Sequence, residues 1–290
     1  MNHPQTTWSS QPRKTKVGAA QPRFTRSRSQ PVWANRFSLL GQVALVTGGG
    51  GQLGREFARG LGEAGAQVIV ADQDEVGCRQ VCKVLGKSGL SGWPLAMDVA
   101  SPESVREAFG RMKTQYGGLD ILVNNAGIAV FTPFETRAYE EFMRVLRVNV
   151  GGTFLCTQAA VDLMKNRPRG GRIVNIGSIY GVVSGDPRLY VDTPRNTSEV
   201  YAASKAAVIQ MTRYWAVHLA KYRIRVNALS PGGIFNQHDP AFLKAYAART
   251  PLGRMGEVSE LLGALLFLAT DASSYVTGQN LLVDGGWTVW

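Results

Sequence analysis

Between residues 43 and 72 the chain sets down an apolar run, a glycine cluster, an amphipathic helical pattern and a second apolar run. Val43-Ala44-Leu45-Val46 has the length and composition of a buried strand. It runs straight into Thr47-Gly48-Gly49-Gly50-Gly51-Gln52-Leu53-Gly54. Apolar residues then recur at helical spacing at Leu53, Phe57 and Leu61, and Gly65 closes the segment. Gln67-Val68-Ile69-Val70-Ala71 reads as a second strand ending on Asp72. Short apolar strands continue to alternate with helical segments beyond this unit, which predicts an α/β fold: a parallel sheet covered by helices on both faces.

The glycines have a chemical reading as well as a structural one. They let the backbone turn sharply and come close to a pyrophosphate, while the following helix offers unpaired amides to the anion. The unit lies between a strand and a helix and carries an acid 18 residues after Gly54, a combination far more specific than the glycines alone. Asp72 is placed to accept hydrogen bonds from an adenosine ribose. A carboxylate there repels a 2′-phosphate, and Gln73 brings no compensating cation, so NAD(H) is expected over NADP(H). A third strand near Leu95-Ala96-Met97 ends in Asp98-Val99, which would flank the adenine. Ser101-Pro102-Glu103 opens a helix by N-cap and first-turn proline chemistry, and that helix ends near Gly117-Gly118. A fourth strand from Leu119 to Val123 delivers Asn124-Asn125-Ala126-Gly127 to its carboxyl edge, either as a polar turn or as part of a ligand-binding edge.

Composition removes several function classes. The chain has 290 residues and a formal net charge of +11. Seven Lys/Arg and no acid fall in residues 1–40, and taking these away leaves +4 for the rest, so the basicity belongs to the tail and not to a nucleic-acid-binding face. Residues 1–36 are rich in Gln, Pro, Ser, Thr and Arg without periodicity and are expected to be disordered. An inert extension, an organelle-targeting peptide and a contact arm for an anionic partner all remain open for them. No apolar run reaches membrane-spanning length. Cys78, Cys82 and Cys156 fit free, packed thiols in a reducing compartment, so a cytoplasmic location is expected. His3, His218 and His238 form no ligand cluster, and no metal site is expected.

Tyr201 and Lys205 stand four residues apart in a Gly- and Pro-free segment from Ser198 to Tyr222, on one face of a predicted helix. An ammonium about 4 Å from a phenol, at an effective dielectric of about 20, supplies roughly the 4 kcal/mol needed to bring the phenol toward neutrality. The pair is therefore a chemically adequate acid/base.

Taken in order, Thr47-Gly48 with its glycines, Asn124-Asn125-Ala126-Gly127, Asn149-Val150-Gly151-Gly152, Ser178, Tyr201-x-x-x-Lys205 and Pro231-Gly232 resemble the short-chain dehydrogenase/reductase family. The resemblance runs from about residue 37 to the C-terminus, through Val283-Asp284-Gly285-Gly286. It implies a single Rossmann-like domain with a doubly wound parallel sheet of about seven strands and a nicotinamide cofactor. It also implies a small-molecule substrate and a homodimer or homotetramer. On this resemblance Tyr201 is the catalytic acid/base and Lys205 lowers its pKa and holds the nicotinamide ribose. Ser178 polarises the substrate oxygen, Asn149, expected inside a long helix, relays the proton, and Pro231-Gly232-Gly233-Ile234 covers the carboxamide. The cofactor set then comprises Thr47, Gly48, Gly51, Gln52, Leu53, Gly54, Asp72, Asp98, Val99, Asn124 to Gly127, Tyr201, Lys205, Pro231, Gly232 and Ile234.

The chain departs from the family pattern at three places. Gln52 stands where most single-domain members have glycine, and the spacing of Gly48, Gly51 and Gly54 is closer to sugar-nucleotide-modifying members. Asn236 replaces a threonine. Ser178 and Tyr201 are separated by 23 positions, about ten more than usual. The enlarged loop, 180–200, carries Asp186, Arg188, Tyr190, Asp192 and Arg195, either as a solvated insertion or as one wall of a pocket for a polyhydroxylated or anionic ligand. The region from Phe235 to Met255 is expected to form the other wall, with a short helix near Pro240–Tyr246 as a lid. The apolar segment Val258–Ala269, with Trp287 and Trp290, is read as an oligomer contact or as core.

The expected activity is hydride transfer between a nicotinamide and a secondary alcohol or ketone, with a sugar-derived substrate favoured. A nucleotide-sugar epimerase or dehydratase, an NADPH-dependent keto-ester reductase and a silent cofactor-binding scaffold are the alternatives. Deleting residues 1–35 should leave kcat unchanged in a steady-state assay, and a large loss of kcat in the truncated protein would contradict this reading of the tail.

Overall fold

Seven strands form one all-parallel sheet: β1 (Val43–Thr47), β2 (Gln67–Asp72), β3 (Gly92–Ala96), β4 (Ile121–Asn124), β5 (Gly171–Ile176), β6 (Ile224–Pro231) and β7 (Asn280–Val283). Their spatial order is β3-β2-β1-β4-β5-β6-β7, so the winding reverses between β1 and β4. The computed structural model describes residues 34–190 and 197–290. The tail up to residue 33 and the loop residues Asp192 and Arg195 lie outside the described residues. The helices are α1 (Gln52–Glu63), α2 (Glu75–Lys87), α3 (Pro102–Tyr116), α4 (Tyr139–Leu146), α5 (Thr153–Met164), α6 (Glu199–Leu219), α7 (Pro240–Arg249) and α8 (Leu262–Ala269).

Strand side chains alternate between two cores, as the pleat requires. Ala44 and Val46 join Phe57 and Leu61 of α1, Cys78 of α2 and Leu265 of α8. Val43 and Leu45 face the other way, onto Phe109 and Met112 of α3 and Met164 of α5. Both faces of β1 are thus buried, which is why its sequence reads as a continuous apolar run. Burial raises the Cys78 and Cys156 thiols to about 12, in keeping with packing roles.

The predicted helix signals hold locally. Ser101 caps α3 by accepting from the Ser104 amide at 3.2 Å, and Gly117 ends that helix with φ +69°. Ser198 caps α6 by accepting from the Tyr201 amide at 3.3 Å. Among the described residues no helix is long and apolar enough to cross a membrane.

One element differs from the sequence reading, and two take the core alternative it left open. Asn149 does not sit in a continuous helix: a π-helical turn, Arg147–Gly152, joins α4 to α5. A Cβ on Gly152 would come within 2.7 Å of Val99, so the chain is pressed against the third strand's edge there. The predicted apolar helix is a short 3-10 turn followed by α8, whose Leu265, Leu268 and Ala269 are core residues and not oligomer surface. Trp287 is likewise interior, stacked on Tyr246 at 4.3 Å, and only Trp290 lies at the surface. Tyr246 and Trp287 belong to a third core, with Ile179, Leu189 and Met255, that joins α7 to the 179–190 segment. The lid helix is thereby anchored through its last turns by aromatic packing.

Candidate active site

A cavity of about 890 Å³ opens at the carboxyl ends of the strands, where the winding reverses. Its volume is near the upper end of the ~300–1,000 Å³ range of small-molecule and cofactor sites. Gly48, Gly51, Gln52 and Leu53 line one bank. Gly48 has φ +61°, and a Cβ on Gly54 would lie 2.1 Å from the Gly48 carbonyl oxygen, so a side chain at either position would open the turn. Asp74 and Ser101 cap α2 and α3, whereas the N-terminal amides of α1 receive no side-chain cap. That helix end suits a pyrophosphate.

Asp72, Gln73, Asp98 and Val99 line the cavity beyond this turn. The Asp72 carboxylate is oriented by the Gly50 amide at 3.2 Å and the Asp74 amide at 3.2 Å. Asn125, Ala126 and Gly127 form the floor. Thr47 Oγ1 accepts from the amides of Asn125 and Ala126 at 3.1 and 3.0 Å, and Asn125 Nδ2 donates to the Thr47 and Gly48 carbonyls at 2.9 and 3.0 Å. Thr47 and Asn124 are both buried behind the cavity wall and do not line it; Asn124 donates to Thr157 and Asn175 instead. Gly54 also stands outside the lining and acts through helix packing.

Ser178, Tyr201 and Lys205 meet at the opposite end of the same cavity, with Pro231, Gly232 and Ile234 across from them. Lys205 is buried, donates to the Ile176 carbonyl at 2.7 Å, and lies 5.6 Å from the centre of the Tyr201 ring. Burial lowers the Lys205 ammonium to about 8. Burial also raises the Tyr201 phenol above its ordinary value, and a hydrogen bond from Ser178 acts in the opposite sense. Desolvation thus sets the phenol more strongly than the ammonium expected from the sequence. The Lys205 ammonium beside the ring would still favour the phenolate once it forms. Asn149 lies just behind: it accepts from the Ile128 amide at 2.8 Å and donates to the Ile128 carbonyl at 3.0 Å and Ser204 Oγ at 2.9 Å.

This geometry is matched by known proteins. A family model described as enoyl-(acyl carrier protein) reductase matches residues 51–288. A short-chain dehydrogenase from Leptospira borgpetersenii, solved with bound NAD+, is 42% identical, with a TM-score of 0.80 and coverage of 91% of this chain and 98% of that one. A gluconate 5-dehydrogenase from Burkholderia cenocepacia, solved with NADP and tartrate, is 37% identical, with a TM-score of 0.81 and coverage of 88% and 98%. A galactitol 2-dehydrogenase from Cereibacter sphaeroides is 35% identical over 88% of this chain and 98% of its own length. The chain belongs to the short-chain dehydrogenase/reductase family. It is an oxidoreductase that transfers a hydride between a nicotinamide cofactor and a secondary alcohol or ketone.

In this dehydrogenase/reductase the cavity is also lined by Ile128, Ala129 and Phe131, which the sequence did not single out, and by Asn236 and His238 from the region expected to form a wall. His238 Nδ1 accepts from the Asn236 amide at 3.1 Å, so in the neutral ring the proton is on Nε2. The described part of the enlarged loop does not line this cavity. Asp186 pairs with Arg188 at 2.7 Å and with Arg249 at 3.4 Å, and Tyr190 packs on Phe242. Arg137, whose side chain is buried, pairs with Glu199 and donates to the Thr132 carbonyl, tying the 132–137 segment to the start of α6. No local motif announces the Asp186–Arg249, Tyr190–Phe242 and Arg137–Glu199 contacts, because each joins residues far apart in sequence.

The buried Lys205 has a consequence for stability. Its charged form is disfavoured in the fold, so wild-type stability should rise with pH from about 8 to the unfolded lysine value near 10.5. Removing the charge gains about 3 kcal/mol from the shift and loses about 1 kcal/mol with the Ile176 hydrogen bond. Lys205→Met should therefore unfold at higher urea than wild type at pH 7, with the gap closing toward pH 10.5; a variant less stable at pH 7 would contradict this.

Proposed function

We propose that this enzyme oxidises a secondary hydroxyl of a polyol or sugar-derived substrate with NAD, Tyr201 taking the hydroxyl proton. The observation that carries the reading is that Ser178, Tyr201 and Lys205 line one end of a single cavity whose other end holds Asp72. The nicotinamide, when bound, supplies the hydride acceptor. Ser178 orients the substrate oxygen against Tyr201 and donates to the phenolate as it forms. The Lys205 ammonium stabilises that phenolate from below the ring and holds the cofactor ribose. Both amide hydrogens of Asn149 are engaged, so we assign it first to holding Ile128 against α6. The proton taken by Tyr201 leaves along the Asn149–Lys205 side of the cleft, where both side chains border Gly127.

Asp72 supports NAD over NADP, because its carboxylate faces the site of the adenosine ribose and would meet a 2′-phosphate with like charge. Two of the relatives above are named for gluconate and galactitol, which supports a polyol-type substrate. Asn236 and His238 supply polar groups for hydroxyls beside the apolar Ile128–Phe131 wall. Likeness to a 3-oxoacyl-[acyl-carrier-protein] reductase of Thermotoga maritima, 37% identical over 86% of this chain and 98% of its own length, supports a second reading, reduction of an acyl-linked ketone with NADPH. Exposed Phe154 on α5 and Tyr214 and Val217 on α6 support a homo-oligomer.

The test is a panel of polyols, sugars, hydroxy acids and 3-keto esters assayed with both cofactors. NAD-linked oxidation of a polyol or sugar acid is expected, with Tyr201→Phe losing turnover at least about 10³-fold while still binding NADH. An active Phe variant, or a preference for NADPH with keto esters, would overturn the proposal.

A further inference from the structure

Gln52, at the first position of α1, makes a contact that its place in a glycine turn does not foretell. Its side chain crosses the mouth of the cavity, and Nε2 donates to the Phe235 carbonyl at 2.7 Å, 183 positions further along the chain. Phe235 belongs to a strap that leaves the end of β6 and runs to His238. Several bonds hold the strap on its far side, among them one from the Gly256 amide to the Gly233 carbonyl at 2.9 Å. The Gly232 amide donates to Val283 at 2.9 Å, the Gly233 amide to Tyr246 Oη at 2.5 Å, and the Phe235 amide to Gly256 at 2.9 Å. Tyr246 is itself fixed in the aromatic core with Trp287. The strap is therefore anchored to the lid half, and Gln52 ties its near edge to the glycine turn.

Gln52, Ile234 and Asn236 all line the cavity, so the tie spans the groove instead of lying beside it. A pyrophosphate on the first turn of α1 would sit directly under this side chain. A glycine at this position would leave that span open. The strap also carries Asn236 and His238, the polar groups of the substrate end, so the same bond fixes their distance from Tyr201.

We propose that Gln52 is a positioning residue that clasps the Phe235 strap across the bound dinucleotide and sets how long the cofactor stays. This rests on the nicotinamide site proposed above. Opening the groove must break the Gln52–Phe235 bond, so losing the donor should speed release with little effect on capture. One hydrogen bond of ordinary strength corresponds to about a three- to tenfold change in rate.

The experiment measures NADH association and dissociation by stopped-flow fluorescence for wild type, Gln52→Ala and Gln52→Met, the methionine keeping the length of the side chain without its donor. Circular dichroism melting checks that both variants fold. NADH dissociation is expected to rise about three- to tenfold in both, with association within about twofold of wild type. Gln52→Glu, which sets a carboxylate against the Phe235 carbonyl and the phosphates, should release NADH faster still. Dissociation within twofold of wild type in both Ala and Met variants would overturn the clasp while leaving the cofactor site intact. A wild-type protein that binds neither NADH nor NADPH would overturn both.

Discussion

The site depends on how the carboxyl ends of β1 and β4 are held apart. The sheet reverses its winding between them, and a groove opens there because neither crossover covers it. Four hydrogen bonds between Thr47 and Gly48 on one side and Asn125 and Ala126 on the other fix the width of that groove. Thr47 does this from a fully buried position, so its contribution is to the shape of the cavity floor. With the floor rigid, the glycine turn and Asp72 are directed to one end, and β5 and α6 bring Ser178, Tyr201 and Lys205 to the other.

The chemistry at that second end comes at a cost in desolvation. A lysine with its ammonium against a main-chain carbonyl and a tyrosine away from water both resist charging. Placed side by side, each relieves the other when a proton leaves the phenol, which is how a low-polarity pocket supports acid/base exchange. Asn149 keeps the facing wall in register through Ile128, from a π turn that a regular helix would not provide. Such widened turns recur at functional sites because they aim a residue that helical periodicity would bury elsewhere.

Much of this was legible in the sequence where the signal is local. The strand–glycine–helix–acid unit and the Ser101 cap have their expected form, and Tyr201 and Lys205 share one helix as expected, although burial and not the ammonium governs the phenol. Readings that depend on distant partners fared less well. Asp186 reads as part of either a solvated insertion or a pocket wall, and instead it pairs with Arg188 and Arg249. Trp287 reads equally as an oligomer contact or as core until Tyr246 and Arg249 are seen to enclose it. Asn124 and Thr47 enter the cofactor set through the family resemblance, while alternation along the strand turns them inward. The Gln52 contact joins residues 183 positions apart and has no signature in either segment.

Helix α7, the 187–190 turn and Trp287 share one core and pack as a unit. A crystal structure of the protein grown with NAD+ tests the arrangement of the cavity most directly. The account expects the adenosine ribose hydroxyls on the Asp72 carboxylate, the pyrophosphate on the first turn of α1, and the nicotinamide ring beside Tyr201 and Lys205. A dinucleotide bound outside this groove, or one whose ring lies beyond reach of Tyr201, would contradict it.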